Sequence, residues 1–421
     1  MAVQQSERLL IVSADGHVGP PAERYREYMA PAYRDAFDEW FAEYIPYWLT
    51  KGTRARGSVK DAIESNMWGT DYAEAFEQRA SAIPWGIEGK WDPKRRLEAL
   101  DIDGVAADVM FPDDQSANSP PFLGLARDAR WKWDKYSPEL QQEGARAYNR
   151  WLADFCSVAP ERLLGVAMLG SLADVDGAIE TLTWAKENGL GGGAFLPVQY
   201  YDVLEPFVND RRYEPLWAAC SELGMPLHTH SGPGSPFYSE DSFEGWLLWA
   251  MESSYWVHRP LWFFTLSGTL ERFPDLKLVF TEQGVSWVPP ALKTMDGILE
   301  AKIMPFSESE RRSMFSMKPS EYFRRQCWIG ATNTDATGWI STEEYEQLGY
   351  DRLMWGSDYP HIESAWPNTK ENLAGLMKGV PEHEARAMIA DTAIDVYGLD
   401  ATKLAPTAER IGPAFDEIIN P

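Results

Sequence analysis

Six histidines are spread over 421 residues, and three of them fall where a short apolar run stops. Leu10-Ile11-Val12-Ser13-Ala14 runs into Asp15-Gly16-His17, and Met225-Pro226-Leu227 runs into His228-Thr229-His230. Side chains alternate along a strand, so residues two apart face one side. Asp15 with His17, and His228 with His230, are thus pairs of donors presented together at strand ends. Two further apolar runs stop at carboxylates, Leu278-Val279-Phe280-Thr281 at Glu282 and Leu353-Met354-Trp355-Gly356-Ser357 at Asp358. Imidazoles and carboxylates gathered from separate strand ends make a divalent metal site. A carboxylate beside the metal serves as ligand and as general base for water. The expected metal ligands are Asp15, His17, His228, Glu282 and Asp358, and the expected proton-transfer groups are Asp358, Glu282 and His230.

Each residue has a plainer reading. Asp358 would also suit an Asx-turn or a helix cap, and Ser231-Gly232 after His230 would suit a simple turn. A buried Glu282 must be paired, protonated or bound to metal. His258, in an aromatic helical stretch, reads as an ordinary partly buried imidazole, and His383, next to acids, reads as surface.

The elements that would position these groups alternate along the chain. Strand-like runs lie at 10–17, 105–111, 163–169, 193–197, 225–230, 276–281, 326–331 and 352–355. Helical stretches at 93–102, 137–158, 174–188, 211–223, 243–272, 287–303 and 382–397 separate or follow them. That alternation predicts an α/β fold, a (β/α)8 TIM barrel whose strand C-termini carry the site. A doubly wound open sheet is the competitor, and the chain lacks a glycine-rich phosphate loop after its first strand. The whole of 1–421 reads as a single domain. Between Pro20 and Trp91 lies an N-terminal helical insertion after strand one, helical at Glu23–Met29 and Arg34–Tyr44. It is expected to be a lid or dimerisation arm lined by Trp48, Trp68 and Trp85.

Composition narrows the partners. A formal net charge of −25 would repel a phosphate backbone and an anionic leaflet, so neither nucleic acid nor membrane is expected. No run of about 18 apolar residues and no signal-peptide order is present, and Cys156, Cys220 and Cys327 lack CxxC spacing, which reads as reduced thiols in a cytoplasmic protein. The 19 Trp, 18 Tyr and 18 Phe suggest an apolar cavity or an aromatic interface of a homo-oligomer, a dimer, although core packing accounts for most of them. Arg95-Arg96 would bind a substrate anion or serve the structure.

The pieces Ser13-Ala14-Asp15-Gly16-His17, Pro226-Leu227-His228-Thr229-His230, Ser267-Gly268-Thr269-Leu270-Glu271-Arg272-Phe273-Pro274 and Gly356-Ser357-Asp358-Tyr359-Pro360-His361 together resemble the amidohydrolase-2 branch of the metal-dependent amidohydrolases. That branch includes aminocarboxymuconate-semialdehyde decarboxylase and the resorcylate-type decarboxylases. The resemblance implies a TIM barrel with ligands at Asp15, His17, His228 and Asp358. The chain departs from many relatives by carrying Asp15 where they have a histidine, Glu282-Gln283-Gly284 where they place a catalytic histidine, and no lysine in Ala194-Phe195-Leu196-Pro197.

The leading expectation is therefore a metal-dependent hydrolase or C–C lyase (decarboxylase) acting on a small, largely apolar molecule, with one or two divalent ions of Zn, Mn or Fe. Carboxylates in place of imidazoles favour Mn²⁺ or Fe²⁺. The alternative is a non-haem di-iron monooxygenase on the same scaffold, acting on a terpenoid-like or CoA-ester substrate. A catalytically silent binding barrel is the third reading, opposed by costly charges clustered only at strand ends.

Overall fold

The computed structural model describes residues 8–47, 86–113, 118–123, 135–196, 208–232, 243–252, 255–301, 307–331, 347–361 and 364–418. Their parallel strands are β1 (Val12–Val18), β2 (Ala107–Pro112), β3 (Leu163–Gly165), β4 (Ala167–Met168), β5 (Ala194–Phe195), β6 (Leu227–His230), β7 (Leu278–Thr281), β8 (Cys327–Ala331) and β9 (Leu353–Trp355). They pair strictly in chain order, as one sheet of β1-β2-β3 and another of β4 through β9. Every residue of β1, β2, β6 and β7 is buried; β7 is the most apolar of them, while β1 and β6 bury Asp15, His17, His228 and His230 within the strand.

Two seams join the sheets. Only Val166 separates β3 from β4; its N–H donates to Met110 O at 2.9 Å, while Ala167 N–H donates to Gly193 O at 2.9 Å. The apolar run at 163–169 is thus one barrel stave that changes partner halfway. At the other seam Asp358 N–H donates to Asp15 O at 2.8 Å and His17 N–H to Tyr359 O at 2.8 Å, with a parallel bridge between Gly16 and Tyr359. Eight staves with helices between them are the arrangement of a TIM barrel.

Local chemistry ends the helices where the barrel needs turns. Asp92 caps Pro93–Asp103 by accepting from the Lys94 and Arg95 N–H groups, and Gly104 closes that helix at φ 77°. Ser137 and Asp174 cap Pro138–Cys156 and Val175–Glu187 in the same way. Among the described residues no helix is long and apolar enough to cross a membrane. The three cysteines are buried free thiols.

The insertion after β1 is helical where it is described, at Ala22–Arg24, Tyr25–Tyr28 and Arg34–Tyr47. Its Phe37, Trp40 and Tyr44 are buried. Trp40 stacks on Tyr44 at 4.5 Å and meets Phe122, beyond the end of β2, at 6.0 Å. Tyr25 hydroxyl donates to Asn118 O at 3.0 Å. Trp48, Trp68 and Trp85 lie outside the described residues.

Candidate metal centre

Strand β1 carries one extra residue against β2, for Ser13 pairs with Asp108 but Gly16 with Met110. The bulge delivers Asp15 and His17 to one place at the C-terminal rim. Ser13 supports them from below, its hydroxyl donating to Asp15 O at 2.7 Å and accepting from Ser357 N–H at 3.0 Å. Arg96 clamps the same seam. Its Nε donates to Asp108 Oδ2 at 3.0 Å, its Nη1 to His17 O at 3.0 Å and its Nη2 to Tyr359 O at 3.2 Å. The question of what Arg96 binds is thereby answered: a buried carboxylate and two backbone carbonyls. Gly16 makes room for it, since a Cβ there would lie 2.5 Å from Arg96 Nη2 and 2.7 Å from Asp108 Oδ1.

Above this seam, His17 Nε2 lies 3.5 Å from Asp15 Oδ1 and 3.1 Å from Asp358 Oδ1. His17 Nδ1 faces Pro112 O at 3.2 Å; a carbonyl only accepts, so Nδ1 carries a proton and Nε2 is directed into the cluster. His230 joins from β6, with Nε2 3.3 Å from Asp15 Oδ1 and Nδ1 3.2 Å from Glu282 Oε2. Ser231 hydroxyl also donates to Glu282 Oε2. The ligand atoms of Asp15, His17 and His230 all lie within 4.8 Å of one another, as do those of His17, Asp358 and His361. Glu282 and Asp358 both have left-handed backbones, φ 55° and 61°, a costly conformation for residues with a Cβ. Each aims a carboxylate inward from a strand end.

His228 stands apart from this group. Its Nε2 meets Gly192 O at 2.8 Å and its Nδ1 faces Thr281 Oγ1 at 3.5 Å, which places the proton on Nε2 rather than a lone pair on the cluster. The reason is local: Gly193 at φ 103° brings the backbone so close that a Cβ there would sit 2.9 Å from His228 Nε2. His258 stacks on Trp287 at 3.7 Å, away from the cluster, and His383 is exposed. Three residues not singled out from sequence as site residues lie behind Asp358. His361 Nδ1 is 2.9 Å from Asp358 Oδ1, His361 Nε2 is 3.2 Å from Asp113 Oδ1, and Lys90 Nζ is 2.7 Å from Asp113 Oδ2. Asp113 had a signal, a carboxylate directly after the apolar run of β2; Lys90 had none.

Electrostatics follow the geometry. Burial opposes charge on His230, but Asp15 and Glu282 outweigh it and raise its pKa to about 9. Burial lowers His228 to about 3, keeping it neutral. Burial alone would raise Asp358, yet His361 and His17 hold it well below the usual carboxylate range. The same contest, won by Lys90 and His361, lowers Asp113. Asp15 Oδ2 and Asp358 Oδ2 are buried without a hydrogen-bond partner. Charged oxygens in that condition are costly unless a cation compensates them, and the mixed nitrogen and oxygen donor set fits a divalent first-row ion.

A family model described as amidohydrolase matches residues 97–399. No curated protein sequence matches the chain. Among solved structures, an amidohydrolase from Mycobacterium avium subsp. paratuberculosis is similar at TM-score 0.66 and 18% identity, over 93% of this chain and 99% of that one. The 5-carboxyvanillate decarboxylase of Sphingomonas paucimobilis is similar at TM-score 0.58 and 18% identity, over 93% and 100%. A second 5-carboxyvanillate decarboxylase, from Novosphingobium aromaticivorans with bound manganese, is similar at TM-score 0.60 and 16% identity, over 94% and 98%.

Proposed function

The chain belongs to the amidohydrolase family, and on that premise we propose that it is a metal-dependent decarboxylase of a small, largely apolar organic acid. The observation that carries this reading is the convergence of Asp15, His17 and His230 within 4.8 Å, beside an Asp358 whose second carboxylate oxygen, Oδ2, is buried without a hydrogen-bond partner. Two of the structures it resembles are 5-carboxyvanillate decarboxylases, one with bound manganese, which supports loss of carbon dioxide over hydrolysis and makes manganese the first metal to supply.

Asp15, His17, His230 and Asp358 would hold the ion, and Glu282 would orient His230 through its Nδ1. Bound there, a divalent ion supplies Lewis acidity that neutralises a carboxylate and a neighbouring oxygen. Breaking the bond to the carboxylate leaves an electron pair on carbon, which must take up a proton. Glu282, whose side chain is 12% exposed against 0% for Asp15 and 1% for Asp358, faces His230 Nδ1 at 3.2 Å and would relay that nitrogen's proton to the carbon, with the proton restored from solvent. Phe111 and Phe195, with ring centroids 4.8 Å and 6.5 Å from that of His230, form an apolar wall that excludes water and suits an aromatic or unsaturated substrate. His228 would line the floor beneath, held on Gly192.

The test is carbon dioxide release from a panel of hydroxylated benzoates with the manganese-loaded protein, beside hydrolysis of esters, amides and lactones. Metal-dependent release that a chelator abolishes and manganese restores is expected. Hydrolysis without carbon dioxide would replace decarboxylation with the hydrolytic version, in which Asp358 takes the proton from water. Failure to bind any divalent ion would overturn both.

A further inference from the structure

We propose that His361 is a nitrogen ligand of the cation held in this pocket, presented by a buried Lys90–Asp113 pair; the inference rests on the metal-dependent reading above. His361 lies three residues after Asp358, and its ring stacks on that of His17 with centroids 3.7 Å apart and planes 19° from parallel. The stack brings His17 Nε2 and His361 Nδ1 to the same oxygen, Asp358 Oδ1, at 3.1 Å and 2.9 Å. Each ring is fixed from behind by an acceptor, Pro112 O at 3.2 Å for His17 and Asp113 Oδ1 at 3.2 Å for His361. An acceptor behind one ring nitrogen fixes the ring and turns the opposite nitrogen toward the pocket. The ligand atoms of His17, Asp358 and His361 lie within 4.8 Å of one another, a buried set of two imidazole nitrogens and a carboxylate in which a divalent cation would take the place of the protons they otherwise share.

The pair behind His361 is built for this task. Asp113 is fully buried, and Lys90 Nζ at 2.7 Å and Asn118 Nδ2 at 2.9 Å both bind its Oδ2, which leaves Oδ1 for the imidazole. Lys90, itself buried, cancels the carboxylate charge, so the arrangement orients His361 without adding net charge to the pocket. A carboxylate–histidine–metal series is the usual means of fixing a ligand imidazole. It also gives the cluster a second histidine on the Asp358 side, where His228, bound to Gly192 O, does not reach.

The test uses the full-length apoprotein titrated with Co²⁺, read by its visible absorption bands and by calorimetry. For His361→Gln the dissociation constant is expected to rise by roughly tenfold or more, with a shift of the absorption bands, and Asp113→Asn is expected to weaken binding by about 10–100-fold through loss of orientation. A His361→Gln protein that binds Co²⁺ with wild-type affinity and wild-type bands overturns the inference and leaves the metal-dependent reading standing. No Co²⁺ uptake by the wild-type protein overturns both. Should His361→Gln fail to fold by circular dichroism, pulsed electron paramagnetic resonance on the wild-type protein decides. With Mn²⁺ bound and histidine labelled with nitrogen-15, coupling from His17, His230 and His361 together supports the proposal, and coupling that Asp113→Asn leaves unchanged and that fits His17 and His230 alone overturns it.

Discussion

The backbone N–H of Asp358 donates to the carbonyl oxygen of Asp15 at 2.8 Å, so the last strand and the first are fixed to each other at the two carboxylates that face His17. The spacing between those carboxylates is therefore a property of the barrel seam rather than of either loop. Arg96 holds that seam through His17 O and Tyr359 O while pairing with Asp108.

This makes Arg96→Ala a severe change with a specific consequence. It leaves Asp108 as an uncompensated buried carboxylate and releases two carbonyls, a loss of about 3–5 kcal/mol. Denaturant unfolding should show that loss. Manganese affinity should also fall, because the two halves of the centre are no longer held in register. Arg96→Lys should not rescue it, since an ammonium lacks the planar fork that reaches Asp108 and both carbonyls at once.

Much of this architecture was legible in the chain because a parallel barrel writes its staves as apolar runs. All eight runs appear as strands, and the run at 163–169 is a single stave in β3 and β4. The donors at strand ends were legible for the same reason: Asp15, His17, Glu282 and Asp358 each follow such a run, and the structure gathers them with His230. What the sequence hid is side-chain direction. His228 and His230 share a strand face, yet Gly193 draws His228 against the Gly192 carbonyl, and no spacing rule reports a backbone carbonyl at the start of the neighbouring strand. Lys90 acts through Asp113, a contact across the barrel rather than along it, and that same contact fixes His361 beside Asp358. Pro319–Gln326 and Ala401–Ile411 are helices beyond those named from the sequence, and Pro406 lies inside the second.

Removing one ligand should separate binding from folding. Asp15→Asn keeps the size of the side chain and its place beside His230, but takes away the charge that a cation needs. The expected result is a folded protein with a dissociation constant for manganese raised by roughly 100-fold or more, beyond the range of outer-sphere changes. Elemental analysis after dialysis checks it, and a variant that retains wild-type metal content would remove Asp15 from the ligand set.

Glu282→Gln tests the division of labour on the other side of His230. Glutamine can still accept from Ser231 and meet His230 Nδ1, so metal stoichiometry at saturating manganese should stay at the wild-type value while turnover falls by about 10²–10⁴-fold, the usual contribution of a positioned proton-transfer group. Loss of metal together with activity would make Glu282 a ligand instead.

A last prediction concerns pH and lies away from the centre. Asp103 is buried and accepts from Thr369 N–H at 3.0 Å and Thr369 hydroxyl at 2.6 Å. Burial outweighs these two bonds and raises its pKa from 3.8 to about 7. Between those values the folded chain holds a proton that the unfolded chain has released, so the stabilisation from Asp103 is complete below the lower value and is lost as pH rises through the upper one. Asp103→Asn keeps an acceptor for the Thr369 N–H and abolishes the titration. The difference in unfolding free energy between wild type and Asp103→Asn should therefore change across this window in favour of the variant as pH rises, with a slope of at most about 1.4 kcal/mol per pH unit. Denaturant melts at a series of pH values measure it, and parallel curves would show that Asp103 is ionised in the folded chain throughout.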